Sequence, residues 1–411
     1  MRPELLSPAG NFEKMVAAIH YGADAVYLAG TRFGMRAAAD NFSEEELKRA
    51  ILYAHERGVK VYLTVNVMPR EYEYEALGAY FRSLSDCPPD ALIVADIGVL
   101  TLARELLPAC ELHISTQANA VSAAACRAWA DLGAKRIVLA RELTLDEIRE
   151  IRRVLPEEIE LECFVHGSMC ISYSGRCLLS GFLCDRDANK GACAQPCRWN
   201  YSIRGVRYEI VEEKRPETPM EIMEIDGETF IMSSKDLCMI EHIPALIEAG
   251  ITSFKIEGRM KSAYYTAVVT NAYRMALDAY EAGVTAPDPQ LLRELESVSH
   301  REYATGYYFA NSREEARTCT QTGYIREKAY LATVLSYDEA TGRALCRQKN
   351  KLCVGESIEL LSPGKIGKPL VARLLLDENG EEIESAPHPN MLFYIELPFA
   401  ARAGDILRGG H

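Results

Sequence analysis

Amphipathic segments that end at a glycine and lead into a short apolar run recur along the chain. The pattern is found, with its glycine first, at residues 22–28, 58–63, 133–139 and 250–256. Glycine readily adopts the left-handed conformation that closes many helices. Capping-box sequences at residues 43–46 and 144–147 indicate where two of the helices begin. The pattern therefore predicts helices that alternate with strands.

Eight segments have the length and composition of buried strands: residues 4–9, 24–29, 59–67, 91–96, 111–117, 135–141, 159–166 and 251–257. Helical patterns separate most of them, and strands that alternate with helices form parallel sheets. The expected fold class is therefore α/β, and eight such units favour a closed (β/α)8 barrel of the TIM type. An open, doubly wound sheet is the alternative. No Gly-x-Gly-x-x-Gly turn follows the first strand, which argues against a dinucleotide-binding version of it.

The predicted barrel occupies residues 1–280 and contains a cysteine-rich insertion at residues 167–250. This insertion is too long for an ordinary strand-to-helix connection, and residues 199–232 within it have the pattern of a polar hairpin. Residues 281–325 are expected to wrap back over the barrel. Residues 326–411 contain short alternating runs separated by turn residues, which predict a small antiparallel β-barrel.

Composition and charge narrow the class of protein. Of the 411 residues, 48% are hydrophobic, so the chain can bury a large core. We see neither an apolar run long enough to span a membrane nor a secretory leader, so we expect a cytoplasmic protein without a membrane partner. The 13 Cys residues are an odd number, which favours reduced thiols or metal ligands over a disulfide framework. With a formal net charge of −13, any RNA contact requires a local basic surface.

Six cysteines lie close together between residues 163 and 197, in a segment rich in Gly, Ser, Asn and Lys that is typical of a loop. Thiolates in such a loop suit a soft metal. Structural zinc usually takes two close Cys pairs, whereas the irons of an iron–sulfur cluster tolerate looser spacing, so the spacing favours iron–sulfur. Cys163 lies within a predicted strand and is interpreted as packed. The expected ligands are Cys170, Cys177, Cys193 and Cys197, with Cys238 as the alternative fourth ligand.

Polar residues follow several predicted strands, where barrel enzymes hold their active sites. His166 lies four residues before Cys170, and the eighth strand ends in Lys255-Ile-Glu-Gly-Arg259. An Arg side chain can bind a carboxylate through two hydrogen bonds, and a nearby Glu can accept a proton. A pocket for a small acid is therefore predicted, although an ordinary Glu257–Arg259 salt bridge explains that pair equally well. The candidate catalytic residues are His166, Lys255 and Glu257, and the candidate substrate-binding residues are Arg36, Asn66, Gln117 and Arg259. Ser7, Asp96 and Arg141 are explained at least as well as caps or turn formers.

Several of these motifs resemble the collagenase-like U-class peptidase family. They are Glu4-Leu-Leu-Ser-Pro-Ala-Gly10, His166-Gly-Ser-Met-Cys170, Tyr173-Ser-Gly-Arg-Cys177, Cys193-Ala-Gln-Pro-Cys-Arg198, Ser234-Lys-Asp236 and Lys255-Ile-Glu-Gly-Arg259. The resemblance covers nearly the whole chain, and the chain is most similar to the branch that modifies transfer RNA.

The resemblance implies a hydroxylase that carries a 4Fe–4S cluster on four cysteines. Members of the family act on tRNA, ribosomal RNA or a quinone precursor. The tRNA branch makes 5-hydroxyuridine at the wobble position and depends on prephenate, a dicarboxylate, as the apparent oxygen source. Cys170, Cys177 and Cys193 match the family's ligand motifs, while the fourth ligand varies between branches. The resemblance also implies that a partner chain of the same family can be required.

Residues 326–411 carry 11 Lys/Arg and 12 Asp/Glu, so the rest of the chain carries most of the negative charge. Their basic residues cluster in loops that we expect to contact RNA phosphates, although a solvated face explains them equally well. The expected RNA-binding residues are Arg347, Lys349, Lys351, Lys365 and Lys368. Two other functions are considered: a peptidase, for which no Gly-x-Ser-x-Gly or His-Glu-x-x-His motif is found, and a scaffold with a purely structural metal site.

Overall fold

A computed structural model describes residues 2–34, 40–170, 172–188, 192–198, 234–309, 325 and 327–410, and the backbone of four short strands between residues 209 and 230. The strands up to residue 304 are β1 (Glu4–Pro8), β2 (Ala25–Leu28), β3 (Lys60–Val65), β4 (Ala91–Val94), β5 (Glu111–Ile114), β6 (Arg136–Val138), β7 (Glu160–Ser168), β8 (Glu209–Ile210), β9 (Met220–Glu221), β10 (Met223–Ile225), β11 (Glu228–Phe230), β12 (Asp236–Cys238), β13 (Ser253–Ile256) and β14 (Tyr303–Ala304). The helices are α1 (Phe12–His20), α2 (Glu44–His55), α3 (Tyr74–Ser83), α4 (Ile97–Leu106), α5 (Ala123–Asp131), α6 (Leu145–Val154), α7 (Leu179–Cys184), α8 (Ile243–Glu248), α9 (Ala263–Glu281) and α10 (Pro289–Glu296).

Eight parallel strands close into a barrel. The hydrogen-bonded order is β13, β1, β2, β3, β4, β5, β6 and β7, and β13 also pairs with β7. All eight predicted strands are therefore confirmed, and the doubly wound alternative is wrong. The four helix-closing glycines all have positive φ, from 69° at Gly58 to 100° at Gly133. Both capping boxes are also formed, at Ser43 and at Thr144.

The capping box at the start of α2 gives a prediction about stability. The Ser43 hydroxyl accepts a hydrogen bond from the Glu46 backbone N–H, and the Glu46 carboxylate accepts one from the Ser43 backbone N–H. Ser43→Ala removes the first bond and should lower the free energy of unfolding by about 1 kcal/mol. Urea denaturation followed by circular dichroism measures the change. Ser43→Asp preserves the cap and should be close to wild type; equal values for Ala and Asp would contradict this role.

The interior of the barrel is polar below its mouth. Leu6, Tyr27, Tyr62 and Ile93 form a small apolar layer separate from the main core, which lies between strands and helices. Elsewhere in the interior, the Arg136 guanidinium forms ion pairs with three carboxylates, those of Glu4, Glu160 and Glu162. Glu162 is fully buried and also pairs with Lys255, at 2.8 Å. A buried charge is costly without a partner, so these ion pairs must be kept in the folded protein. Their residues lie on four strands of the barrel, which the network therefore joins.

Strand β7 extends beyond the barrel. Its last residues pair with β12 in antiparallel fashion, and β12 in turn pairs with β14. Between β7 and β12 lie α7 and two antiparallel strand pairs, β8 with β9 and β10 with β11. The cysteine-bearing segment between β7 and β12 thus begins and ends at the carboxyl end of the barrel. In the part of residues 281–325 that the structure describes, α10 packs its apolar face into the barrel core.

The C-terminal residues form an antiparallel sheet with its own apolar core. Its strands and those of a small accessory pair are β15 (Lys328–Asp338), β16 (Arg343–Gln348), β17 (Leu352–Cys353), β18 (Ser357–Leu361), β19 (Lys368–Val371), β20 (Leu375–Leu376), β21 (Ser385–Ala386), β22 (Leu392–Glu396) and β23 (Ile406–Gly410). Seven of them follow the order β19, β18, β23, β15, β16, β22 and β20, and β17 pairs with β21. The antiparallel architecture is as predicted.

Polar contacts join this sheet to one side of the barrel. Arg408 is fully buried and forms an ion pair with Glu294 of α10, while the Asn271 side chain of α9 donates to the Lys365 carbonyl oxygen and accepts from the Gly364 N–H. The Tyr21 hydroxyl, just after α1, donates to the Leu361 carbonyl oxygen. No helix in the described residues combines the length and the apolar character needed to cross a membrane.

Candidate functional site

A cavity of about 150 Å³ opens at the carboxyl ends of the barrel strands. Its walls come from the ends of β3 and β13, from the segments after β5 and β6, and from the cysteine-bearing segment after β7. Of the residues predicted for the site, the cavity is lined by Asn66, Gln117, Cys170, Cys177, Cys193, Cys197, Lys255, Glu257 and Arg259. Topology alone brings them together, because the carboxyl ends of parallel strands meet at one face of a barrel.

One wall of the cavity carries the four predicted thiols. Cys170, Cys177, Cys193 and Cys197 all line it, and none of them forms a disulfide. The Cys193 sulfur accepts a hydrogen bond of 3.3 Å from the Gln195 backbone N–H. Within the described residues, no three His, Cys, Asp or Glu side chains are arranged as metal ligands. The thiols therefore share one cavity without forming a closed coordination site in this structure.

Cys238, the alternative fourth ligand, lies elsewhere. It is buried between β7 and the Tyr273 hydroxyl, and it is not among the described residues that line the cavity. Burial raises the pKa of the Cys238 thiol to about 12, which disfavours a thiolate. Cys163 is likewise buried within β7, as interpreted from the sequence. The geometry favours Cys197 over Cys238 as the fourth thiol of the set.

Charged groups from β13 form another part of the cavity wall. The Lys255 ammonium lies 2.8 Å from a Glu162 carboxylate oxygen and 4.5 Å from the centre of the Tyr27 ring. Burial alone would raise the pKa of the Glu162 carboxyl, but the charges of Lys255 and Arg136 lower it to about 2. The β7–β13 register shifts between Lys255 and Ile256, and such irregularities often redirect side chains at functional sites. Lys255 is thus a cation held at the wall of the cavity.

Glu257 and Arg259 complete this wall. The Tyr27 hydroxyl lies 3.4 Å from a Glu257 carboxylate oxygen, and an Arg259 Nη donates to the Thr64 hydroxyl, also at 3.4 Å. The Arg259 side chain is almost fully buried. Two glycines allow other segments of the backbone to pack closely against this part of the chain. A Cβ at Gly10 would clash with the Arg259 carbonyl oxygen, and a Cβ at Gly167 would clash with the Glu257 carbonyl oxygen. These contacts explain two of the glycines in the motifs noted above.

Two amides line the remaining side of the cavity. Asn66 donates a hydrogen bond of 3.3 Å to the Ser115 hydroxyl. The Gln117 Oε1 atom is buried and accepts no hydrogen bond from any described residue. A buried acceptor without a donor is costly, so this atom is suited to a ligand that carries a donor.

His166 is not at the cavity wall formed by the described residues, contrary to the expectation that it lies at the mouth. The expected strand ended at residue 166, but β7 continues to Ser168 and β12 covers it, so His166 is enclosed in the sheet. It is 1% exposed and is surrounded by the rings of Tyr265, Tyr273 and Tyr303. Burial lowers the pKa of His166 to about 3, so the ring is neutral near pH 7. Arg36 lies outside the described residues.

Of the three polar residues explained as caps or turn formers, one lines the cavity, and two further cavity residues were not predicted. Asp96 is indeed a helix cap, since its carboxylate accepts from the Val99 N–H, and Ser7 is buried against Thr270. Arg141, in contrast, lines the cavity. Thr64, which contacts Arg259, and Tyr27, which contacts Glu257, also line the cavity. Nothing in their sequence context distinguishes them from other strand residues.

The basic residues predicted to bind RNA lie on the C-terminal sheet. Arg347, Lys351, Lys365 and Lys368 are exposed. Lys349 is partly buried, and its ammonium pairs with Glu13 in the first turn of α1, at 2.7 Å. Since α1 begins just after β1 ends, Lys349 lies on the side of the barrel to which the cavity opens.

A comparison with family models decides the relationship. The model described as peptidase family U32 matches residues 10–318. The chain belongs to peptidase family U32. A second model, the U32 C-terminal domain, matches residues 326–408. The family expected from the cysteine and Lys255-to-Arg259 motifs is thereby confirmed.

Similar U32 proteins carry different names. The chain is 36% identical over 416 residues to tRNA hydroxylation protein P1 of Bacillus subtilis (strain 168), covering 100% of this chain and 95% of that protein. It is 35% identical to tRNA hydroxylation protein P of Escherichia coli (strain K12), covering 97% and 94%. It is also 32% identical to a protein named collagenase from Porphyromonas gingivalis (strain ATCC BAA-308 / W83), covering 88% and 86%. The first two names belong to the branch expected from the sequence.

Proposed function

We propose that this chain is a cytoplasmic enzyme that hydroxylates tRNA, replacing the hydrogen on C5 of the wobble uridine with a hydroxyl group to give 5-hydroxyuridine. The names of two relatives that align over nearly their whole length support tRNA as the substrate and hydroxylation as the reaction. One structural observation carries the proposal. A single cavity is lined by four thiols on one wall and by Lys255, Glu257 and Arg259 on the other.

The cofactor proposed for the thiol wall is a 4Fe–4S cluster. Cys170, Cys177, Cys193 and Cys197 would hold it, since four thiols around one cavity are the donor set that such a cluster requires. The amide hydrogen bond to the Cys193 sulfur is of the kind that tunes cluster ligands. When bound, the cluster supplies one-electron redox chemistry, which the other side chains of the cavity lack.

The charged wall is proposed to bind a small dicarboxylate, with prephenate as the co-substrate that supplies the oxygen atom. Arg259 can bind a carboxylate through two hydrogen bonds, and the Lys255 ammonium adds a second positive charge; both side chains are buried. Gln117 Oε1 can accept a hydrogen bond from a hydroxyl group of the same ligand. Glu257 is the carboxylate on this wall that can take up the proton released from C5. His166 has no direct contact with substrate in this proposal.

RNA is proposed to enter as an unpaired loop with the target base turned into the cavity, because a cavity of about 150 Å³ is too small for an RNA helix. The exposed cations Arg347, Lys351, Lys365 and Lys368 are available to contact phosphates of the same RNA. Lys349 would fix the edge of this surface through its ion pair with α1.

Nucleoside mass spectrometry of RNA from a deletion strain tests the proposal. The tRNA of that strain should lack the mass of one oxygen atom on its wobble uridine, and a plasmid copy should restore it. Ribosomal RNA and quinones serve as the other two arms. Loss of an oxygen from either of them with unchanged tRNA would assign a different substrate. Cleavage of collagen by the purified chain, with all three unchanged, would favour a peptidase.

Arg259→Ala gives a prediction for the charged wall. It should weaken binding of the small acid by about 10–100-fold, because a charged hydrogen-bonding partner is lost. The iron content should stay unchanged, since Arg259 is not one of the proposed cluster ligands. Isothermal calorimetry with prephenate measures the affinity. Arg127→Ala, an exposed Arg on α5, is the control. Equal affinities for the two variants would remove Arg259 from the binding site.

A further inference from the structure

The loop that carries Cys170 begins and ends at one guanidinium. Arg141, just after β6, donates through one Nη to the Ser168 carbonyl oxygen and through the other Nη to the Ser174 hydroxyl, both at 2.9 Å. The same guanidinium lies over the Phe164 ring, 5.2 Å from its centre. Cys170 lies between the two anchored serines, and Cys177 follows three residues after the second.

Each end of this loop also has its own separate attachment. Near its start, Ser168 pairs with Asp236 of β12, and the Met169 carbonyl oxygen accepts from the Ser234 hydroxyl at 2.8 Å. At its far end, the Ser174 carbonyl oxygen accepts from the Asn119 side chain at 3.2 Å. Each of these contacts attaches only one end of the loop. Arg141 bonds to both ends together and ties them to the wall of the barrel.

From this geometry we propose that Arg141 is a positioning residue that closes the base of the Cys170 loop and holds Cys170 and Cys177 over the cavity. Only the planar fork of Arg places two N–H donors at a fixed separation and angle, so Lys cannot replace both bonds. The part of this inference that concerns metal retention rests on the cluster assigned under the proposed function.

Hydrogen exchange in the metal-free, full-length protein tests the anchor itself. In Arg141→Met, which keeps the apolar stem, amides of residues 168–176 should exchange about tenfold faster than in wild type, while those of β1 to β5 stay unchanged. Arg141→Lys should give an intermediate rate, and Arg127→Met should behave as wild type. If Arg141→Met does not fold, Arg141→Lys supplies the comparison. Wild-type exchange across residues 168–176 in a folded Arg141 variant would overturn the proposal.

Iron release gives the second readout. After anaerobic reconstitution, Arg141→Met should lose iron to a chelator about tenfold faster than wild type, with Arg141→Lys in between, because removing an outer hydrogen-bonding partner typically weakens metal binding by about this factor. Faster exchange together with a wild-type protein that takes up no iron would keep the anchor and refute the proposed cofactor. Unchanged exchange in Arg141→Met, together with a wild-type protein that binds iron, would refute the anchor and keep the proposed cofactor.

Discussion

Cys177→Ala is expected to lower tRNA hydroxylation by more than about 100-fold when the variant is expressed in a deletion strain. Cys177 is proposed to bind the cluster directly. Loss of a residue that only hydrogen-bonds to a metal ligand already lowers metal affinity or activity by about 10–100-fold, so loss of a ligand itself should have a larger effect. The measurement is the fraction of wobble uridine that carries the extra oxygen, read by mass spectrometry.

The chain offers a matched control for this substitution. Cys184 is a neighbouring, partly buried thiol on α7, but it does not line the cavity, and its S–H donates to the Ser180 carbonyl oxygen at 2.9 Å. Cys184→Ala should therefore leave hydroxylation near the wild-type level. The same modification level in both variants, high or low, would mean that the thiols lining the cavity have no special role.

Arg136→Met is expected to lower the free energy of unfolding by about 3–5 kcal/mol. The substitution preserves most of the volume of the side chain but removes a buried cation that pairs with Glu4, Glu160 and Glu162. Glu162 is fully buried, and among the described residues its carboxylate would keep only the Lys255 ammonium and the Ser253 hydroxyl as side-chain partners. Urea unfolding, followed by circular dichroism at neutral pH, gives the magnitude.

The control for this effect is an Arg→Met substitution in an exposed ion pair. Arg153 pairs with Glu150 on α6 at 2.7 Å, but its side chain is 73% exposed. Arg153→Met should change the free energy of unfolding by less than about 1 kcal/mol, because water and salt already screen that pair. A loss for Arg136→Met no larger than that for Arg153→Met would show that the interior network contributes little to the stability of the barrel.

The course of the barrel could be predicted from the sequence because each strand and each helix end has a local signal. Gly58 and Gly133 mark helix ends by their positive φ, and Ser43 and Thr144 mark helix starts by their capping boxes. The cysteine wall and the Lys255-to-Arg259 wall could be placed at one face for a related reason. Once a parallel barrel is inferred, the ends of all its strands lie together.

The interior network could not be predicted, because it joins residues 4, 136, 162 and 255, which meet only when the barrel closes. Arg136 has the sequence context of an ordinary strand residue, and only the register of β6 beside β7 places it against Glu160. His166 was misplaced because the antiparallel addition of β12 to β7 has no signal within β7 itself. The role of Arg141 was missed because one of its acceptors is the last residue of β7 and the other lies in the loop beyond it, and nothing in the sequence near Arg141 indicates either contact.

The iron and sulfide content of the anaerobically purified chain tests the central claim most directly, namely that the thiols around this cavity hold a redox cofactor. We expect a brown protein with about four irons and as many sulfides per chain. A colourless protein that contains zinc, or one that takes up no metal after anaerobic reconstitution, would contradict it.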